Sequence, residues 1–325
     1  MNKKRHHYVP KAYIESFCDS QGKILVYRKD NLRNPFYSSP DNVGFHKYYY
    51  SQPLPDGSRD NDTLEDFFSE IESRWPSLVN RLRHRDDIND PDSLRTFFEF
   101  MALQRSRVPA ARDAVETILA EKVISTARVL DATGMLPPKP PGCEDILDRI
   151  EVAINPHESI HAIPGLVGGM STILETIGLV ALHNKTDIPF LTSDNPVIWF
   201  DPSIPEAKMQ PYVCQPGGQV VLLFPIAPDC IVYGDPSMQM QFASHGFEHS
   251  DLSNRQNVKM INRHICRFAY DAVFAQQSGY QELICKYADV SPVLEVLRLP
   301  AAQGEALVLW SYVFGSRKKK PKWSD

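Results

Sequence analysis

His6 and His7 stand near the start of the chain, within the run Arg5-His6-His7-Tyr8-Val9-Pro10-Lys11-Ala12-Tyr13. Imidazole titrates near neutral pH and can accept a proton, donate one or bind a metal ion, so this pair is the first place to look for chemistry. Neighbouring side chains on an extended segment point to opposite sides, and only one of the two can face a given pocket unless the backbone turns between them. A packed pair with no chemical role fits the composition as well. Far along the chain, Thr192-Ser193-Asp194-Asn195-Pro196 lies between two strand-like runs, where a rigid sheet would present its side chains. Asp194 could hold a metal or orient a histidine, and Asn195 could donate to an anion. The same residues are good turn chemistry, because Asp and Asn satisfy their own backbone. The expectation is that these two stretches meet in one polar pocket.

Other polar residues could join them. Glu65 and Glu72 are seven positions apart and share a helix face; on most helices such glutamates are solvated. Gln104, Arg105 and Arg107 could bind phosphate or carboxylate, Arg107 bidentately. Arginines at a helix C-terminus also complement the dipole. Asn254, Asn257, Asn262 and His264 form an amide-rich stretch whose buried members would need partners. His157 and His161 are spaced i, i+4 without the glutamate of an HExxH zinc site.

Composition narrows the classes. Apolar content of 42% and charged content of 23% over 325 residues are those of a globular chain with a real core, which argues against disorder. A formal charge of −5 does not advertise a polyanion partner. The basic residues cluster at the ends, however: Lys3, Lys4 and Arg5, then Arg317, Lys318, Lys319, Lys320 and Lys322. That tail is either a solvated terminus or a contact for a polyanion. The six cysteines, Cys18, Cys143, Cys214, Cys230, Cys266 and Cys285, show no zinc-ligand spacing. With no signal peptide read at the start, they are expected to be reduced thiols in a cytoplasmic protein. No run reaches the ~20 apolar residues of a membrane helix, so no membrane partner is expected. The oligomeric state stays open.

The elements that must position these residues follow from period and punctuation. Lys23 to Arg28 and Phe45 to Ser51 read as strands among Pro- and Gly-rich loops. From Asp62, Leu64, Phe67, Phe68, Ile71 and Trp75 recur at helical spacing, with Pro76 as a kink or restart. Asp90-Pro91-Asp92-Ser93 starts the next helix, which runs to Val108, and Pro109 breaks it. Ala110 to Ala132 and Pro156 to Leu182 read as helices, the latter interrupted by Pro164 and Gly165. Strand grammar returns at 190–192, 197–200, 219–224 and 230–233. A helix from Ser250 continues toward Phe274, a short one lies near 280–287, and 307–314 is an apolar terminal stretch. The fold class expected is α+β, mostly helical, with a small N-terminal β layer and a mid-chain β-sheet packed on helices. It forms a single domain over 1–325: a helical part at about 60–185, a sheet-bearing part at 1–60 and 186–275, and a basic tail at 315–325.

The opening His6-His7-Tyr8-Val9-Pro10-Lys11-Ala12-Tyr13-Ile14-Glu15-Ser16-Phe17 resembles that of the bacterial domain of unknown function 4238. Glu65 with Glu72, then Gln104, Arg107 and Pro109, then Leu191-Thr192-Ser193-Asp194-Asn195-Pro196-Val197 are similar to it in the same order, over roughly residues 5 to 275. The family brings no established reaction; the resemblance implies that these separated polar positions belong together as a set. From the chemistry of these residues, a proton carrier near neutral pH beside cationic clamps, the expected activity is hydrolysis by a phosphodiesterase or nuclease. His6, His7, Glu65 and Asp194 are its catalytic candidates, and Tyr8, Gln104, Arg107 and Asn195 would bind substrate, a nucleic acid or nucleotide. The Asp194 and Glu65 carboxylates would bind a divalent metal ion, with His7 as a further candidate ligand, or would position water. Two alternatives use the same residues: a non-enzymatic module binding a nucleotide, nucleic acid or protein, and a structural plug formed by the head segment.

Overall fold

Local signals start and stop the elements that carry the polar residues. Asp90 accepts the Ser93 N–H at 2.9 Å, and Pro91 sits in the first turn of the Pro91–Arg107 helix, where a missing N–H costs nothing. The helix ends at Arg107 because a residue preceding proline is driven out of the helical region; Val108 is extended, at φ −67° and ψ 153°. Pro109 then opens the Pro109–Ala132 helix. Upstream, the Thr63–Glu72 helix closes and Trp75–Arg83 starts afresh with Pro76 in its first turn, so that of the kink or restart expected at that proline it is the restart that occurs. The computed structural model describes residues 4–213, 217–300 and 306–317. Lys3, Cys214 and the tail lysines Lys318, Lys319, Lys320 and Lys322 lie outside the described residues, and with them most of the candidate polyanion contact.

Two sheets organise the strands. A five-stranded sheet runs in the order Glu248–Leu252, Gly178–Asn184, Cys230–Asp235, Val221–Ala227, Ile198–Phe200. Its neighbours are antiparallel apart from the parallel pair Glu248–Leu252 and Gly178–Asn184. A four-stranded sheet runs Phe36–Ser38, Ile24–Arg28, Ala272–Ala275, Thr192–Ser193. The N-terminal β layer and the mid-chain strands therefore share a sheet. The Arg5–His7 strand lies apart, paired antiparallel with Phe45–Lys47, and Ser291–Pro300 pairs with Ala306–Gly315 in a terminal hairpin.

The alternation of a half-buried strand becomes full burial where both faces are covered. Along Val221–Ala227, Leu222, Phe224 and Ile226 point into one apolar cluster, Val221 and Leu223 into another. The first cluster centres on aromatic rings: Trp75 stacks on Phe100 with centroids 3.8 Å apart, and Tyr13, Phe97 and Phe224 close around them. The second lies between the sheet and the Arg255–Phe268 helix. The architecture is α+β, as expected. No helix among the described residues is long and apolar enough to cross a membrane.

Three element expectations fail, each for a physical reason. The Pro156 to Leu182 run is two short helices, Pro156–Ile160 and Ile163–Leu174, followed by the strand Gly178–Asn184. That strand is inside the sheet, and a doubly buried strand carries no period to separate it from a helix. The helix expected to continue toward Phe274 ends at Phe268, and Ala272–Ala275 is a strand. The Phe45 to Ser51 strand stops at Lys47 because Tyr48 turns the chain with φ 57°.

Candidate functional site

The head segment is clamped from both sides. Gly44, at φ +64°, presents its carbonyl to the N–H groups of Tyr8 and Val9 at 2.8 and 3.1 Å. A side chain there would meet Val9 Cβ at 3.0 Å, so this turn requires glycine. Downstream, the Tyr13 hydroxyl donates to the Pro225 carbonyl and accepts from the Thr192 hydroxyl, both at 2.6 Å. With its one proton committed to Pro225, the Tyr13 oxygen can only accept from Thr192. The head segment and the Thr192–Pro196 stretch therefore do touch, through a buried hydrogen bond in the core.

The two histidines face different surroundings, as residues on opposite sides of a strand must. His6 is fully buried; its Nδ1 accepts the Tyr50 N–H at 2.8 Å and its ring stacks on Tyr50. An Nδ1 that accepts carries no proton, so the ring proton is on Nε2. His7 is partly exposed and rests against Phe45, and its Nε2 has no hydrogen-bond partner in the protein. Burial pushes the His7 imidazole below its usual value; Glu72 works against that and Arg107 adds to it.

Arg107 ties this corner together. Its Nη1 donates to Glu72 at 2.6 Å and its guanidinium lies over the Phe68 ring, with only 1% of the side chain exposed against 20% for Glu72. Burial opposes the charge on Arg107, but Glu72, Tyr50 and Glu65 outweigh it and hold the guanidinium above its usual value. Glu65 thus bears on the same cation as Glu72, as two carboxylates on one helix face would. Gln104, one turn back, is fully buried and donates from Nε2 to the Tyr8 carbonyl at 3.2 Å.

Asp194 and Asn195 sit in a different setting. Asp194 is fully buried and accepts the N–H groups of Tyr270, at 2.7 Å, and Asp271. Burial pushes its carboxyl up to about 6, held back by the Tyr270 N–H and by Lys29. Lys29, in turn, is pushed down to about 7 by burial, against the pull of Asp194. Asn195 donates to the Phe268 carbonyl at 2.7 Å and to the Tyr212 hydroxyl, while its Oδ1 has no partner in the protein. Arg105 stacks over Tyr212 with its Cζ 3.9 Å from the ring centre, and its Nε and Nη1 also lack partners.

The structure therefore divides the expected pocket in two. His7, Glu65, Glu72 and Arg107 form one group, and Asp194 and Asn195 form another with Lys29, Tyr212, Tyr270 and Arg105. Tyr8 spans them: it packs on His46 and Tyr49, Gln104 donates to its carbonyl, and its phenol, pushed up first by burial, also feels the Asp194 carboxylate. Among the described residues no three of His, Cys, Asp and Glu gather as a metal ion would require. That corrects the expected divalent site of Asp194, His7 and Glu65: the Asp194 carboxylate is taken up by backbone N–H groups. His157 is likewise engaged elsewhere, its Nδ1 2.6 Å from the Ser51 carbonyl.

Sequence reasoning set Glu72 beside Glu65 but missed its pairing with Arg107, which only i, i+7 facing could have suggested. Lys29, Tyr50, Tyr212 and Tyr270 were missed entirely. Each is a loop residue whose partner lies at least 17 positions away, and three of the four more than 40, and local pattern carries no signal of that.

A family model described as a protein of unknown function, DUF4238, matches residues 5–279. No curated protein and no solved structure gives a match. The matched span contains the whole head segment, the Glu72–Arg107 pair and the Asp194 hairpin, and the chain belongs to the DUF4238 family.

Proposed function

We propose that the His7 corner is the working site and that the chain is a hydrolase of phosphate esters, a phosphodiesterase or nuclease that uses no metal ion held by these residues. The observation that carries the reading is a set of polar atoms at that corner without protein partners: His7 Nε2, Gln104 Oε1 and Arg107 Nε. Buried polar groups are nearly always paired, and two of these three residues, Gln104 and Arg107, lie in the last turn of the Pro91–Arg107 helix. His7, whose pKa is lowered, serves as the proton acceptor. As the oxygen of water or a hydroxyl adds to phosphorus, its proton passes to Nε2; the bond to the leaving alcohol breaks, and that oxygen takes a proton from solvent. The guanidinium of Arg107 offsets the negative charge that grows on the phosphoryl oxygens. Asp194 and His6 then act as positioning residues rather than reacting groups.

A second reading, a non-enzymatic module that binds a nucleotide, nucleic acid or protein, is favoured by the prior neutralisation of Arg107 by Glu72. Assays of the purified chain on RNA, DNA and nucleotides, with and without chelator, separate the two. The hydrolase reading expects chelator-resistant turnover that falls at least ~100-fold in His7→Ala while the melting temperature holds. Ligand-dependent thermal stabilisation without turnover would leave the binding module in its place.

A further inference from the structure

A second cleft lies on the other side of the five-stranded sheet, between it, the Arg255–Phe268 helix and the loop that includes Ile204 and Met209, with a volume of about 530 Å³. None of the residues of the His7 corner or the Asp194 hairpin lines it. Its body is apolar, walled by Leu223, Met209 and Ile261, and of a size, roughly 300 to 1,000 Å³, typical of small-molecule pockets.

The polar end of this cleft is unbalanced. The Glu206 carboxylate, in the cleft lining, stands between two guanidiniums, Arg263 in the lining and Arg267 outside it over the Phe314 ring, each at 3.2 Å. One negative charge against two positive leaves an excess, offset only weakly by Asp289, which acts on Arg267 last among its neighbours. Burial, then Glu206 and Arg263 in opposite senses, bear on Arg267, whose guanidinium is held below its usual value. His264 adds no charge: burial, then the two arginines, push its imidazole down to about 3. Its ring, stacked on Phe200 at 4.3 Å and only 5% exposed, lines the cleft, and its Nδ1 has no partner in the protein; Arg263 Nε lacks one as well. An unpaired guanidinium donor, Arg263 Nε, beside surplus positive charge calls for an anion, and the adjoining apolar walls call for a hydrocarbon body.

We propose that this cleft binds a small amphipathic monoanion, a medium-chain carboxylate, with its chain against Leu223, Met209 and Ile261 and its carboxylate at Arg263. The charge pattern selects the headgroup: a neutral head leaves the excess positive charge unmet, and a cationic one adds to it.

The test uses the full chain and three probes with the same hydrocarbon body, decanoate, decanol and decylamine, each below its micelle concentration and read by calorimetry and thermal shift. Decanoate is expected to bind about tenfold tighter than decanol, the worth of one charge-assisted contact, and decylamine not at all. Arg263→Gln should erase the advantage of decanoate while leaving decanol binding in place. Ile204→Trp, at a half-buried loop position, should weaken decanoate and decanol together by filling the cleft. The proposal is overturned if no probe binds, if decylamine matches decanoate, or if decanoate binds Arg263→Gln as tightly as the parent chain. Each variant is first checked for an unchanged melting temperature without probe, and Met260→Trp, on the cleft rim at 47% exposure, replaces Ile204→Trp if the latter unfolds.

Discussion

The His7 corner and the Asp194 hairpin hold the same kinds of groups, carboxylates beside cations and aromatic rings, yet their settings differ. At Asp194 the carboxylate is wholly buried and both oxygens receive backbone N–H groups from the turn that joins the Arg255–Phe268 helix to the Ala272–Ala275 strand. At His7 the imidazole is partly exposed and one ring nitrogen is unpaired, while the neighbouring Glu72 still reaches solvent. A group whose bonding capacity is spent on the backbone fixes the chain; a group with capacity left over can meet a ligand. The chemistry a residue type permits is thus decided by how much of it the fold has already used.

Breaking the buried side should have the largest effect. Asp194→Ala leaves two backbone N–H groups without their acceptor and removes the negative charge that favours the buried Lys29 ammonium, and is expected to cost on the order of 4 kcal/mol, read as a shift of the urea midpoint. A loss under about 1 kcal/mol would mean that the hairpin is not held this way. Glu72→Gln comes next. It strands the buried Arg107 guanidinium and should cost roughly 3 kcal/mol, less than Asp194→Ala because Glu72 is itself part-exposed. Restoring most of that loss with the pair Glu72→Gln, Arg107→Met would show that the stranded charge, rather than lost packing, carries the cost.

The pH dependence sharpens the comparison further. Asp194 is pushed up to about 6 from the ordinary 3.8, so the folded chain holds that proton more tightly than the unfolded one. Its contribution is full below about pH 4 and is lost as pH rises to about 6. Lys29 is pushed down to about 7 from 10.5, so the unfolded chain holds its proton more tightly, and stability recovers as pH climbs from about 7 toward 10. The pair should produce a minimum near pH 6 to 7, with limbs on the order of 2 kcal/mol. Denaturation midpoints across pH 4 to 10 test this, and Asp194→Asn should flatten the acid limb. The smallest stability effect belongs to His7→Ala, expected within about 0.5 kcal/mol, as at sites away from buried networks. A large loss there would make His7 architectural and erase the contrast between the two regions.

Much of the scaffold around these groups was legible. The Asp90-Pro91 start, the Val108-Pro109 stop and the Pro76 restart are local steric and capping signals, and each appears where the sequence put it. The Gly178–Asn184 strand was not legible, because a segment buried on both faces loses the period that would name it. At the site, the expectation that the head segment meets the Thr192 stretch has a contact to its name, Tyr13 to Thr192. The histidines themselves turn toward Tyr50 and toward Phe45.

By itself the sequence determined where the helices around Pro76, Pro91 and Pro109 begin or end, that the chain is apolar enough to form a core, and that Glu65 shares a face with Glu72. Those follow from steric limits and spacing within a few turns of chain. Only the tertiary structure decided that Arg107 pairs with Glu72, that Asp194 is consumed by the Tyr270 turn, and that His7 keeps a free nitrogen. Partners drawn from distant segments set burial and hydrogen bonding, and these fix which polar groups remain reactive.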